Sequence, residues 1–218
     1  MRLGSFALLL VVPIVTACRP MQPRAPESPA RSVATASPAS PASPASTSAP
    51  TRPARSQADV DFMTAMIAHH QQAVVMVAMI ADRTSSQNIR LLGLRIELSQ
   101  IDEITLMKNW LRARGEPVPG EGEHADHEMP SQHDGHLMPG MLTPAQINAL
   151  RAARGTEFDR RFLQFMIQHH EGAISMVAAL FSSADGGQQA EIYGFASDVD
   201  ADQQMEIARM RRLLAELP

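Results

Sequence analysis

Four stretches of the chain carry apolar residues at i, i+3, i+4 and i+7, the spacing of one helix face. In the first, Phe62, Met66, His69, Ala73, Met76 and Ile80 fall along one line at 100° per residue. Met63, Ile67, His70, Val74 and Val77 fall along the neighbouring line. The second places Gln100 and Glu103 inside a stripe of Leu92, Ile96, Met107 and Trp110. The third repeats the first, with Phe162, Met166, His169, Ala173 and Met176. The fourth places Gln203 and Glu206 among Phe195, Val199 and Met210. No proline interrupts these stretches, and no period-two pattern competes with them. Ser56-x-x-Asp59 and Thr156-x-x-Asp159 read as N-caps followed by an acid in the first turn. Thr143-Pro144-x-Gln146 predicts a short additional helix that ends near Gly155.

The first and third stretches match at an offset of 100, from Phe62/Phe162 to Val77/Val177, and both contain an adjacent His-His pair. The second and fourth share Gln-x-x-Glu-Ile-x-x-Met, at 100–107 and 203–210. The folded part, residues 56–218, is therefore an internal duplication of a helical hairpin. A helix of about 25 residues spans ~37 Å. Two such hairpins bury their stripes against each other, which predicts an all-α four-helix bundle with pseudo-twofold symmetry.

The N-terminal region is of another kind. Residues 1–17 have one basic residue and a short apolar run ending in Val-Thr-Ala, directly before Cys18, the only cysteine. This fits a lipoprotein signal peptide with Cys18 as the lipidated residue, and so an extracytoplasmic protein anchored to the membrane by its N-terminal lipid. Residues 18–55 are rich in Pro, Ala and Ser and lack the large apolar side chains needed to offset ordering entropy, as expected of a disordered tether. The chain's net charge of −4 conceals an acidic domain, since the tether is mildly basic. An acidic domain does not suit nucleic acid and mildly favours cations.

The predicted core thus holds His69, His70, His169 and His170 with Glu103 and Glu206, flanked by Met66, Met76, Met166 and Met176. Polar groups in such numbers are costly to bury unless they are paired or ligated. One reading is an internal hydrogen-bond network, imidazole to glutamate with glutamine completing it. The other is a metal-binding core. With no thiol pair available, thioether and imidazole are the donors expected for copper, Cu(I) in particular. His70 and His170 fall nearer the Gln/Glu positions, while His69 and His169 line up with the methionines. A second candidate is the His/Met-rich loop 116–142, with His124, His127, His133 and His136 beside Met129, Met138 and Met141. Its permissive spacing also suits Cu(II) or zinc. Neither Glu103 nor Glu206 has a histidine three residues on, so the in-helix Glu-x-x-His pairs of di-iron bundles are missing, and no C-x-x-C-H haem motif, H-E-x-x-H motif or Gly-rich phosphate loop is present.

Met66-Ile-x-His-His-x-x-Ala73 with Met76, and its copy Met166-Ile-x-His-His-Glu-Gly-Ala173 with Met176, resemble the bacterial family called domain of unknown function three-zero-five. The resemblance covers about 59–217. It implies a secreted or periplasmic protein with a ferritin-like helical bundle, in a family some of whose members are linked to copper binding and tolerance. It also implies that Met66, His69, His70, Met76 and their counterparts are signature positions. The expected function is non-enzymatic copper binding or sequestration, with a metal-accepting protein as a candidate partner. The rivals are a cuprous oxidase-type oxidoreductase and a structural module with a hydrogen-bonded His/Glu core.

Overall fold

The computed structural model describes residues 55–121 and 137–218. The signal peptide, Cys18, most of the tether, and His124, His127, His133 and His136 lie outside the described residues. Four long helices and one short one occur among the described residues: α1 (Gln57–Ala78), α2 (Gln87–Ala113), α3 (Pro144–Ala152), α4 (Gly155–Ser182) and α5 (Ala190–Glu216). A 3₁₀ turn, Ile80–Asp82, follows α1. No strand occurs among the described residues. By length and apolar content α1 could cross a membrane, but 67% of that window is buried inside the bundle, so its apolar character serves the core.

Local signals set most of the boundaries. Ser56 caps α1 by accepting from the Asp59 N–H at 3.0 Å. Thr143 and Gln146 form a reciprocal capping box at α3, with Pro144 at its first turn. The expected cap at Thr156 is not formed: α4 begins at Gly155, and the preceding Arg154 makes no side-chain cap. The reason is tertiary. The Gly155 N–H donates to the Arg83 carbonyl at 2.7 Å, at a φ of 58° that favours glycine, so the turn is fixed from outside the helix. The short helix α3 correspondingly stops at Ala152, before Gly155.

Packing follows the duplication. α1 pairs with α2 and α4 with α5, and the two hairpins meet along α1 and α4. Two apolar clusters fill the interior. One joins Met76, Val77 and Ile80 to Phe158, Phe162 and Met166. The other joins Phe62, Met63 and Met66 to Met176, Val177 and Leu180. The start of α1 therefore lies against the end of α4, an antiparallel crossing. The histidine pairs sit midway along both helices, between the two clusters.

The C-terminal end of the His/Met-rich loop is not the exposed segment that its composition suggests. Residues 137–142 cross α1 and α4 as a strap, with Met141 and Leu142 buried. Gln72 clamps Leu142 from both sides, donating to its carbonyl at 3.1 Å and accepting from its N–H at 2.7 Å. Gln168 donates to the Gly140 carbonyl at 3.3 Å. The approach is backbone to backbone: a Cβ on Gly172 would lie 2.1 Å from the Pro139 oxygen. Gly172→Ala is expected to cost about 1–3 kcal/mol through this overlap, measured by urea denaturation. An unchanged midpoint would mean that the strap yields without cost.

Candidate metal centre

The four sequence-predicted core histidines come together in one buried layer. His69, His70, His169 and His170 are at most 1% exposed, and Met66, Met76, Met166 and Met176 are buried with them. Adjacent residues on a helix point about 100° apart, so each His-His pair divides between two neighbours. His70 and His170 turn outward within their own hairpins. His70 Nε2 meets Glu103 Oε2 at 2.5 Å, and His170 Nε2 meets Glu206 Oε2 at 2.8 Å. His69 and His169 turn towards each other across α1 and α4, with ring centroids 3.8 Å apart and tilted by 37°.

The outer ring nitrogens of the central pair are held by backbone. The His69 Nε2–H donates to the Pro139 carbonyl in the strap at 3.0 Å, and the His169 Nε2–H donates to the His69 carbonyl at 3.0 Å. A carbonyl only accepts, so in both rings the proton is on Nε2. Burial then keeps both rings neutral. It lowers the His69 pKa from 6.5 to about 3, helped by nearby His70 and His170 and opposed by the Pro139 hydrogen bond. His169 is shifted well below its ordinary value, chiefly by burial and then by its three histidine neighbours. A neutral imidazole protonated on Nε2 carries a lone pair on Nδ1. Nδ1 of both rings is buried without a hydrogen-bond partner. A backbone carbonyl fixing one nitrogen while the other presents its lone pair is the arrangement of a metal-ligating histidine.

The methionines divide by symmetry. Met66 and Met176 belong to one apolar cluster and Met76 and Met166 to the other, so thioethers are built into the packing on both sides of the histidine layer. Among the described residues no group of three or more His, Cys, Asp or Glu is arranged to hold a metal ion. The carboxylates are engaged singly, one per outer histidine. The side chains buried at and beside the centre are imidazole and thioether, donor types that suit a soft ion.

Some expectations need correction, and some partners were not foreseen. Glutamine does not complete the network, because Oε1 of both Gln100 and Gln203 is buried without a partner. His69 and His169 face each other rather than only the methionines. The role of the strap in holding His69 was missed. Its signals were Pro139-Gly140 and Gly172, small or rigid residues whose close approach only the fold reveals. Asp202 was missed too. Burial raises its pKa, and the like charges of Glu103 and Glu206 add to this, so it lies within electrostatic reach of both His–Glu pairs.

The comparisons with known proteins agree with the motif. The family model for the domain of unknown function DUF305 matches residues 59–214. The chain belongs to this family. A Streptomyces coelicolor member described as a secreted protein is 28% identical over 73% of this chain and 93% of its own, with a TM-score of 0.61. A Deinococcus radiodurans DUF305 fragment is 29% identical over 76% and 100%, at 0.62. CopM, solved in a Cu(II)-bound form, is 28% identical over 72% and 96%, at 0.58. It is also described in Cu(I)-bound and Ag-bound forms. No curated protein matches the chain significantly.

The neutral central pair makes stability pH-dependent. The folded pKa of each ring lies below the unfolded value of 6.5, so the unfolded chain binds more protons in acid. Stability is full above that value and falls as pH drops below it. Between pH ~7.5 and ~5.5 each ring is expected to withdraw about 1.4 kcal/mol. Urea denaturation of the metal-free protein measures this, and a flat profile over that range would contradict the neutral assignment.

Proposed function

We propose that this chain is an extracytoplasmic copper-binding protein, lipid-anchored through Cys18, that holds Cu(I) at the centre of its duplicated bundle. Its role is binding or sequestration, and copper is its cargo. His69 and His169 supply imidazole Nδ1 donors, and Met66, Met76, Met166 and Met176 supply thioethers. The observation that carries this reading is the pair of neutral, buried imidazoles whose Nδ1 lone pairs have no hydrogen-bond donor. Such acceptors are costly to bury, and a metal ion would satisfy them. Neutral donors and thioethers favour Cu(I) over the more strongly hydrated divalent ions. Glu103 and Glu206, each one histidine away, place negative charge near the monovalent cation. The copper- and silver-bound forms of CopM and the secreted Streptomyces relative support the reading by similarity. His124, His127, His133 and His136 form a second, hydrophilic binding segment, suited to Cu(II) or zinc as well, from which a partner protein could exchange the ion.

A second reading rests on the outer pairs. His70–Glu103 and His170–Glu206 are hydrogen-bonded pairs through Nε2, as a structural polar core would require, although Nδ1 of each outer histidine is also buried without a partner. The two readings differ in their metal response. In an anaerobic titration of the full chain with Cu(I) against a competing chelator, His69→Ala/His169→Ala is expected to weaken the tightest site at least about tenfold. His124/His127/His133/His136→Ala should lower stoichiometry and leave that site intact. Unchanged affinity in the double variant would leave the structural reading standing.

A further inference from the structure

On the outer side of α2 and α5, away from the central histidines, Arg95, Arg209 and Arg212 line one pocket of about 290 Å³ together with Met205 and Glu206. These three stand apart from the rest of their kind. Every other described arginine has a hydrogen bond or a close ion pair. Arg95 has only a 3.7 Å contact with Glu206 Oε1, and Arg209 and Arg212 have no partner among the described residues. Arg209 Nε is moreover buried, so water does not replace the missing acceptor. A buried guanidinium N–H without an acceptor is costly. The Glu206 carboxylate does not supply it: its Oε2 is engaged by His170, its Oε1 lies nearest Arg95, and Arg209 Nε has no partner.

We propose that this pocket is an oxyanion site for a phosphate group, held chiefly by Arg209 and Arg212, with Arg95 adding charge. The guanidinium fork matches phosphate oxygens in pairs, and helices α2 and α5 present the arginines from two sides of one concavity. Glu206 and the nearby Asp202 offset part of the positive charge. Arg95 faces these carboxylates, whereas Arg209 and Arg212 remain free for the ligand. Met205 and Ala208 supply the apolar part of the lining, and on α2 Leu91 and Leu98, a turn to either side of Arg95, are each about half exposed. Free phosphate and a phospholipid headgroup present the same chemistry to the arginines.

The test follows the arginine Nε–H resonances of the full chain by ¹⁵N NMR while inorganic phosphate, or in a second arm the soluble headgroup glycerophosphoglycerol, is added at constant ionic strength. The expected result is a saturable shift of the Arg209 resonance that chloride does not reproduce. Arg209→Gln and the exposed Arg212→Gln should each weaken binding about tenfold. Arg211→Gln, whose side chain pairs instead with Glu171, should not. Saturation by phosphate alone identifies the free ion as ligand, and tighter saturation by the headgroup identifies a lipid. No saturable shift in either arm, an equal response to chloride, or unchanged binding in both pocket variants would overturn the proposal.

Discussion

The structure depends on keeping two imidazoles uncharged against each other. His69 and His169 occupy the crossing of α1 and α4, and a proton on either would place a buried cation beside three other histidines. Two backbone carbonyls secure the arrangement by claiming the Nε2 protons, one from the strap and one from α1 itself. The remaining features serve this layer. The apolar clusters above and below exclude water, the outer histidines are balanced by Glu103 and Glu206, and Gly172 allows the strap close enough to reach His69.

Duplication makes the centre symmetrical, and the surroundings are not. Asp59 accepts from the Gly187 N–H at 2.7 Å and ties the start of α1 to the α4–α5 turn. Its counterpart Asp159 has an Oδ1 that is buried without a partner. Trp110 is buried beneath the Arg114 guanidinium, 4.0 Å from its ring centroid, where the second half has a partly buried leucine. Glu171 pairs with Arg211, whereas the first half has Gln71. Among the described residues only one strap crosses the helices, and His69 and His169 receive their backbone bonds from different sources. The two imidazoles are thus related by symmetry yet differently exposed to change at the surface.

Much of this was legible in the sequence because helical periodicity and duplication are both local patterns. The offset of 100 placed both His-His pairs in equivalent positions, and the 100° step between neighbours separated their roles. His70 and His170 accordingly found Glu103 and Glu206. What periodicity could not supply was the third dimension between hairpins. That His69 faces His169 depends on the crossing of α1 and α4, and that Pro139 reaches His69 depends on two glycines meeting. The start of α4 was misplaced for the same reason, because Gly155 is held by the Arg83 carbonyl rather than by a neighbour in sequence. The unpartnered Gln100 and Gln203 oxygens likewise reflect distances that spacing does not encode.

The proposed soft-ion site, of imidazole and thioether, lies between α1 and α4. X-ray absorption of the Cu(I)-loaded full chain, with His124, His127, His133 and His136 replaced by alanine, addresses that site directly. Both nitrogen and sulfur scatterers are expected around copper, with the nitrogen contribution lost when His69 and His169 are also replaced. A first shell of nitrogen and oxygen alone, or a spectrum indifferent to those two histidines, would contradict it.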